Sequence, residues 1–208
     1  MLAAIEQAAF APLSNQAEDC LSINVQMPSG IKSTAGLPIM MWIFGGGFQL
    51  GSSAALGAEL TAVQGLIYQG ARIVQRSVEM GQPIVFVSAN YRVNAFGTLA
   101  SQEMTDANVT NLMLKDQRTA MRWVQKYIGN FGGDKSKVTI FGESAGSVSV
   151  ATQMLLNGGD TEGLFRAAIM ASGGILKLED YHRGQETFDF VRPAQIILGT
   201  LTDVEADC

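Results

Sequence analysis

Histidine is nearly absent from this 208-residue sequence: His182 stands alone. Cysteine is almost as scarce, with only Cys20 and Cys208. Two cysteines are too few for a disulfide framework, and no Cys-x-x-Cys or paired His/Cys spacing offers a zinc site. Positive charge is also short: 14 Lys and Arg stand against 19 Asp and Glu, a net charge of −5. A surface of that sign repels a phosphate backbone, which argues against nucleic-acid binding. No apolar run approaches the roughly 20 residues needed to cross a bilayer, so no membrane span is expected. The N-terminal stretch MLAAIEQAAFAPL is apolar but carries Glu6 and no early Lys or Arg. It does not read as a secretory signal. Repeats, low-complexity tracts and linkers are missing as well, so residues 1–208 read as belonging to one domain. What is present is a globular composition, 47% hydrophobic and rich in glycine, with 23 residues.

Four apolar runs are continuous rather than alternating: Ile39–Phe44, Ile84–Val87, Val138–Phe141 and Ala167–Ala171. Continuous runs of this length suit strands buried on both faces. Leu21–Met27 alternates instead, as a strand nearer a sheet edge does. Pro38 and Pro83 stand directly before two of the runs, where a missing N–H does little harm. Helical periodicity fills the gaps. Ala120, Val124, Tyr127, Ile128 and Phe131 share one face of a helix expected over Lys115–Phe131, which Gly132-Gly133 ends. Val148, Ala151, Thr152 and Leu155 mark a second helix over Ala145–Leu156, and Ile67, Ala71, Val74 and Val78 a third. Strands alternating with helices indicate an α/β fold with a mostly parallel sheet and flanking helices.

Two glycine-rich motifs follow buried runs. FGESAG, residues 141–146, has the form G-x-S-x-G around Ser144. It follows the strand-like VTIF and opens a helix, which is the setting of a nucleophile elbow. The tight turn lifts the serine hydroxyl clear of the sheet, and the flanking glycines let strand and helix approach closely. The competing reading is a Ser N-cap with glycines in a turn. The second motif, FGGGF at 44–48, follows IMMWIF and exposes several backbone N–H groups at one strand end. Such groups suit a carbonyl oxygen that becomes an oxyanion. A plain turn is one alternative. A dinucleotide loop is another, but Leu50 stands where the third glycine belongs. Gly132-Gly133-Asp134-Lys135-Ser136 likewise lacks the spacing of a P-loop. No cofactor is expected.

Taken together, AEDCLSINV (17–25), PIMMWIFGGGFQLG (38–51), VSANYRVNAFG (87–97), LKDQRTAMRWVQKYIGNFGGD (114–134), KVTIFGESAGS (137–147) and LFRAAIMASGG (164–174) resemble the type-B carboxylesterase/lipase family. That family includes the cholinesterases. Phe44, in place of the more common His before the glycines, resembles the fungal branch of Candida rugosa-type lipases. The resemblance implies an α/β-hydrolase fold and hydrolysis of a small-molecule ester or lipid substrate through an acyl-enzyme. Ser144 would be the nucleophile. Gly46, Gly47 and Ala145 would donate the oxyanion-hole N–H groups. Arg92 and Asp116 would form a buried structural salt bridge, the competing reading being an exposed ion pair of little value.

The family places its acid and then its histidine far downstream of the serine. Here His182 lies only 38 positions after Ser144, in a segment resembling a surface stretch of fungal members rather than the catalytic histidine loop. The chain therefore reads as the central part of a larger hydrolase, without strands at either end and without the triad acid and base. The parent is expected to be secreted, as the family largely is. By the same resemblance Cys20 and Cys208 belong to two different disulfides and are not expected to pair with each other. Thr110 and Met113 replace small residues of the family pattern before Asp116, which could crowd a turn near the active site. The segment 56–67 looks longer than the family's usual connection, which an insertion or an imprecise gene boundary would explain. Relatives on this fold that serve as binding or adhesion proteins tend to lose the serine. Ser144 is retained here, which favours the enzyme.

Overall fold

The computed structural model describes residues 19–53 and 68–175. The segment 56–67, His182 and Cys208 lie outside the described residues. Five strands form one sheet: β1 (Ile23–Gln26), β2 (Leu37–Ile43), β3 (Val85–Ala89), β4 (Gly133–Glu143) and β5 (Ala167–Ala171), in the order β1-β3-β2-β4-β5. β2 runs parallel to both β3 and β4, and β4 parallel to β5. β1 pairs antiparallel with β3, Ile23 opposite Ala89, and takes the sheet edge that its alternating sequence anticipates. The central strands are covered on both faces. Ile39, Met41, Val85, Val87, Val138 and Ile140 are all at most 1% exposed. β4 is longer than its apolar run because it starts at Gly133. A bulge between Leu37 and Ile39 passes over the polar residues 134–137 before the ladder resumes at Val138.

The helices are α1 (Gly70–Glu79), α2 (Asn94–Thr98), α3 (Gln102–Asp106), α4 (Leu112–Tyr127) and α5 (Ala145–Leu155). The two short ones, α2 and α3, carry no periodic stripe and were not anticipated by the apolar pattern. α4 begins three residues earlier than expected and passes into a 3₁₀ turn, Ile128–Phe131. That turn ends on Gly132 at φ 76°. Its inward face is Met113, Leu114, Gln117, Met121 and Val124, with buried Asp116 and Arg118, while Tyr127 is exposed. In α1 the inward residues are Gly70, Val74 and Ser77, and Val78 faces solvent. A Cβ on Gly70 would overlap the Phe86 ring, so this glycine lets α1 lie directly on the sheet. α5 is buried nearly all round, from Ala145 to Ala151 without interruption.

Cys20 is disulfide-bonded. The expectation that Cys20 and Cys208 do not pair with each other involves Cys208, which lies outside the described residues. Among the described residues no helix is long and apolar enough to cross a membrane.

Candidate active site

β2 and β4 are adjacent and parallel, so the two glycine motifs that follow them emerge side by side at the C-terminal edge of the sheet. Crevices at this edge are where open α/β sheets bind ligands. One residue, Ser144, separates β4 from α5. Its backbone sits at φ 53°, ψ −124°, a conformation that costs a non-glycine residue about 1–3 kcal/mol. The surroundings impose it. The Ser144 N–H donates to the Ala171 carbonyl at 3.0 Å, extending the β4–β5 ladder by one bond. The Ser144 carbonyl accepts from the Ser147 and Val148 N–H groups at 2.9 and 3.1 Å, and from the Ser147 hydroxyl at 2.9 Å.

The flanking glycines are steric necessities. A Cβ on Gly142 would overlap the Gly146 peptide, and one on Gly146 would overlap the Ile43 carbonyl oxygen. The first turn of α5 thus rests on the end of β2, just before the three glycines. Gly173, after β5, closes the site from the other side: a Cβ there would overlap the Ser147 hydroxyl. Sequence reasoning gave Gly173 no role. Its signal is a Gly-Gly pair directly after a strand, too common to single out.

An N-capping serine accepts a hydrogen bond from an N–H of its own first turn. Ser144 makes no such bond, and among the described residues its hydroxyl has no partner. The N–H groups of Gly46, Gly47 and Ala145 have no acceptor among the described residues either. Three uncommitted donors at adjoining element ends can receive negative charge developing on an acyl oxygen, and α5 adds the favourable field of its N-terminus.

Two residues of the segment after β3 brace this edge. Arg92 and Asp116 are brought together in a bidentate pair, Nε to Oδ2 at 2.8 Å and Nη2 to Oδ1 at 2.7 Å, and the Arg92 N–H also donates to Oδ2 at 3.0 Å. Their side chains are 8% and 6% exposed, so the pair is buried and ties the β3 end to α4. Tyr91 stacks on Phe44 with centroids 4.0 Å apart and donates its hydroxyl to the Phe44 carbonyl at 2.6 Å. Burial pushes the Tyr91 phenol well above its ordinary range, so it remains a donor at any pH of interest. Met113, expected to crowd a turn near the site, packs against Gly97. It is buried at the start of α4, and its Cβ lies close to Gly97, whose missing side chain leaves the room. Among the described residues no cluster of His, Cys, Asp and Glu could hold a metal ion.

The carboxylesterase family model matches residues 3–187. Lipase 5 of Diutina rugosa is 48% identical over 171 residues, 80% of this chain and 29% of the lipase. The secreted triacylglycerol lipase LIP1 of Gibberella zeae is 45% identical over 186 residues, 86% of this chain and 29% of that protein. A more distant relative, 35% identical over 89% of this chain and 30% of its own length, is an inactive carboxylesterase-like protein of Byssochlamys spectabilis. Among solved structures, a PNB esterase superposes with a TM-score of 0.72 at 32% identity, covering 92% of this chain and 38% of the esterase. The fold is therefore that of the α/β-hydrolase esterases, and the chain spans under a third of the length of these curated relatives.

Proposed function

Because this chain belongs to the carboxylesterase family, we propose that it carries the nucleophile and oxyanion hole of a serine carboxylic ester hydrolase of the carboxylesterase/lipase type. Ser144 Oγ attacks the ester carbonyl carbon and passes its proton to a base. The carbonyl oxygen becomes an oxyanion and accepts hydrogen bonds from the Gly46, Gly47 and Ala145 N–H groups. Collapse of the tetrahedral adduct expels the alcohol, which takes the proton from the base and leaves the acyl group on Ser144. Water, deprotonated by the same base, then attacks the acyl-enzyme and releases the carboxylic acid.

Ser144 is the observation that carries this reading: it stands alone between β4 and α5 in a strained conformation with an uncommitted hydroxyl. Family membership does not decide the matter, since an inactive relative shares it. The base and its acid are assigned to segments that the relatives carry in the remainder of their length, because the only histidine here is His182. The substrate is a small-molecule ester or a lipid, as the lipase relatives suggest. Secretion of the parent protein agrees with the secreted lipase of Gibberella zeae.

A fluorophosphonate probe tests the nucleophile. In the chain extended with the acid- and histidine-bearing segments of a lipase relative, the phosphonyl adduct is expected on Ser144 and is lost in Ser144→Ala. An adduct elsewhere, or none, overturns the assignment.

A further inference from the structure

The glycine loop that follows β2 cannot hold its shape unaided. Gly46, Gly47, Phe48 and Gly51 all have positive φ, at 117°, 64°, 60° and 137°. Phe48 is the costly member, because an L-residue with a bulky side chain disfavours that region. Among the described residues, the loop's internal backbone bonds are two to the Gly46 carbonyl, from the Gln49 and Leu50 N–H groups at 3.1 and 3.2 Å. Asn24 of β1 and the Ser88 hydroxyl of β3 each donate to the Ser53 carbonyl at 3.3 Å, and three further bonds come from the short segment after β3. At the loop's start, the Tyr91 hydroxyl donates to the Phe44 carbonyl at 2.6 Å. In its middle, the Asn94 N–H donates to the Phe48 carbonyl at 2.6 Å. At its end, the Asn90 side-chain carbonyl accepts from the Ser53 N–H at 2.8 Å. One stretch of five residues, 90–94, thus grips the loop at three successive points.

We propose that Tyr91 is a positioning residue for the oxyanion hole: its hydroxyl fixes the Phe44 peptide group and so sets the path by which the chain enters Gly45-Gly46-Gly47. The peptide bond is planar, so a fixed Phe44 carbonyl also fixes the orientation of the Gly45 N–H on its opposite edge. The same carbonyl abuts the first turn of α5, where a Cβ on Gly146 would fall 2.8 Å from it. The Tyr91 bond therefore holds a peptide that borders both the glycine loop and the helix that starts at Ala145. Stacking on Phe44 and burial to 5% exposure fix the ring that carries the hydroxyl. Tyr91 touches no substrate in this scheme. The catalytic part of the inference rests on the ester-hydrolase reading, whereas the clamp itself does not.

Tyr91→Phe keeps the ring and removes the donor. In the full 208-residue chain, hydrogen exchange at the Gln49, Leu50 and Asn94 amides is expected to quicken roughly tenfold, the loss of about one hydrogen bond. Exchange of the Val138–Phe141 amides in β4 is expected to stay within about twofold. In the extended enzyme, kcat for p-nitrophenyl butyrate is expected to fall roughly tenfold with KM unchanged, as for a hole that binds only the transition state. Unchanged exchange at 49, 50 and 94, or an equal rise in β4, overturns the clamp and leaves Tyr91 a core residue. Altered exchange with unchanged kcat in an active enzyme overturns the catalytic role. If the unsubstituted extended enzyme shows no turnover, the ester-hydrolase reading fails while exchange still judges the clamp. Should Tyr91→Phe fail to fold, Tyr91→p-aminophenylalanine retains the ring with a weaker donor. Intermediate exchange at 49 and 50 then supports the clamp, and exchange equal to that of the unsubstituted chain overturns it.

Discussion

Ser144 holds a φ of 53° that glycine would hold at little cost, and the fold keeps a serine there. Replacing it separates stability from function. Ser144→Gly is expected to raise stability by up to about 1 kcal/mol, since relief of strain exceeds the added freedom of the unfolded chain. In a chain of this size that is a Tm higher by about 2–4 °C, readable by calorimetry. Gly146→Ala, two residues on, is expected to cost more than about 2 kcal/mol, because its Cβ would overlap rigid backbone, the Ile43 carbonyl oxygen first and that of Phe44 at 2.8 Å. The elbow was legible in the sequence for this reason: G-x-S-x-G records a steric requirement residue by residue, so the pattern and the geometry are one fact. Tyr91 was not legible. A tyrosine beside an arginine in a buried segment does not say where its hydroxyl points, and the Phe44 carbonyl it meets is 47 residues away.

The strands could be read because parallel strands buried on both faces leave continuous apolar runs, as in β3, where all five residues are buried. The start of β4 could not, because residues 134–137 are polar and lie beyond a bulge. α4 shows a different limit. Apolar periodicity placed the helix and put Val124 and Ile128 in the core, with Ala120 and Phe131 against it. But it put Tyr127, which is exposed, on that face and missed the polar part of it. Part of that face is polar and satisfied by α5. Gln117 donates to the Ser149 hydroxyl at 3.0 Å, and Gln153 donates to the Leu114 carbonyl at 2.9 Å and to Gln117 Oε1 at 3.2 Å. Arg118 reaches Gln153 Oε1 from the same helix and leads out to Glu162. Since Gln153 is fully buried, Gln153→Ala leaves several groups without partners and is expected to cost about 2–3 kcal/mol. In a urea-melt double-mutant cycle, Gln117→Ala and Gln153→Ala are expected to couple by at least about 0.5 kcal/mol, with additivity arguing against a shared network. The network ties α5, the helix that follows Ser144, to α4.

Two surface carboxylates, Asp134 and Glu162, are held in the charged form by ion pairs and hydrogen bonds. Bonds from Ser136 and Lys137 bring the Asp134 carboxyl down to about 2, and bonds from Arg122 and Arg118 lower that of Glu162. A depressed folded-state pKa gives stability that is present above the unfolded value, about 4, and is lost as pH falls through the folded one. Tm is therefore expected to be flat near neutrality and to decline from about pH 4 towards pH 2. Glu162→Gln should remove part of that slope, and an unchanged slope would show that the Glu162 pairs contribute nothing to it. At this scale the family was legible from motifs in order along the chain, while the partners of Ser144 were not, because the sequence holds one histidine. The most direct test of the account is p-nitrophenyl butyrate hydrolysis by the purified 208-residue chain beside the chain extended with a relative's acid and histidine segments. The account predicts turnover near background for the former, and turnover by the latter that Ser144→Ala abolishes. Robust turnover by the 208-residue chain, or turnover by the extended chain that survives Ser144→Ala, would contradict it.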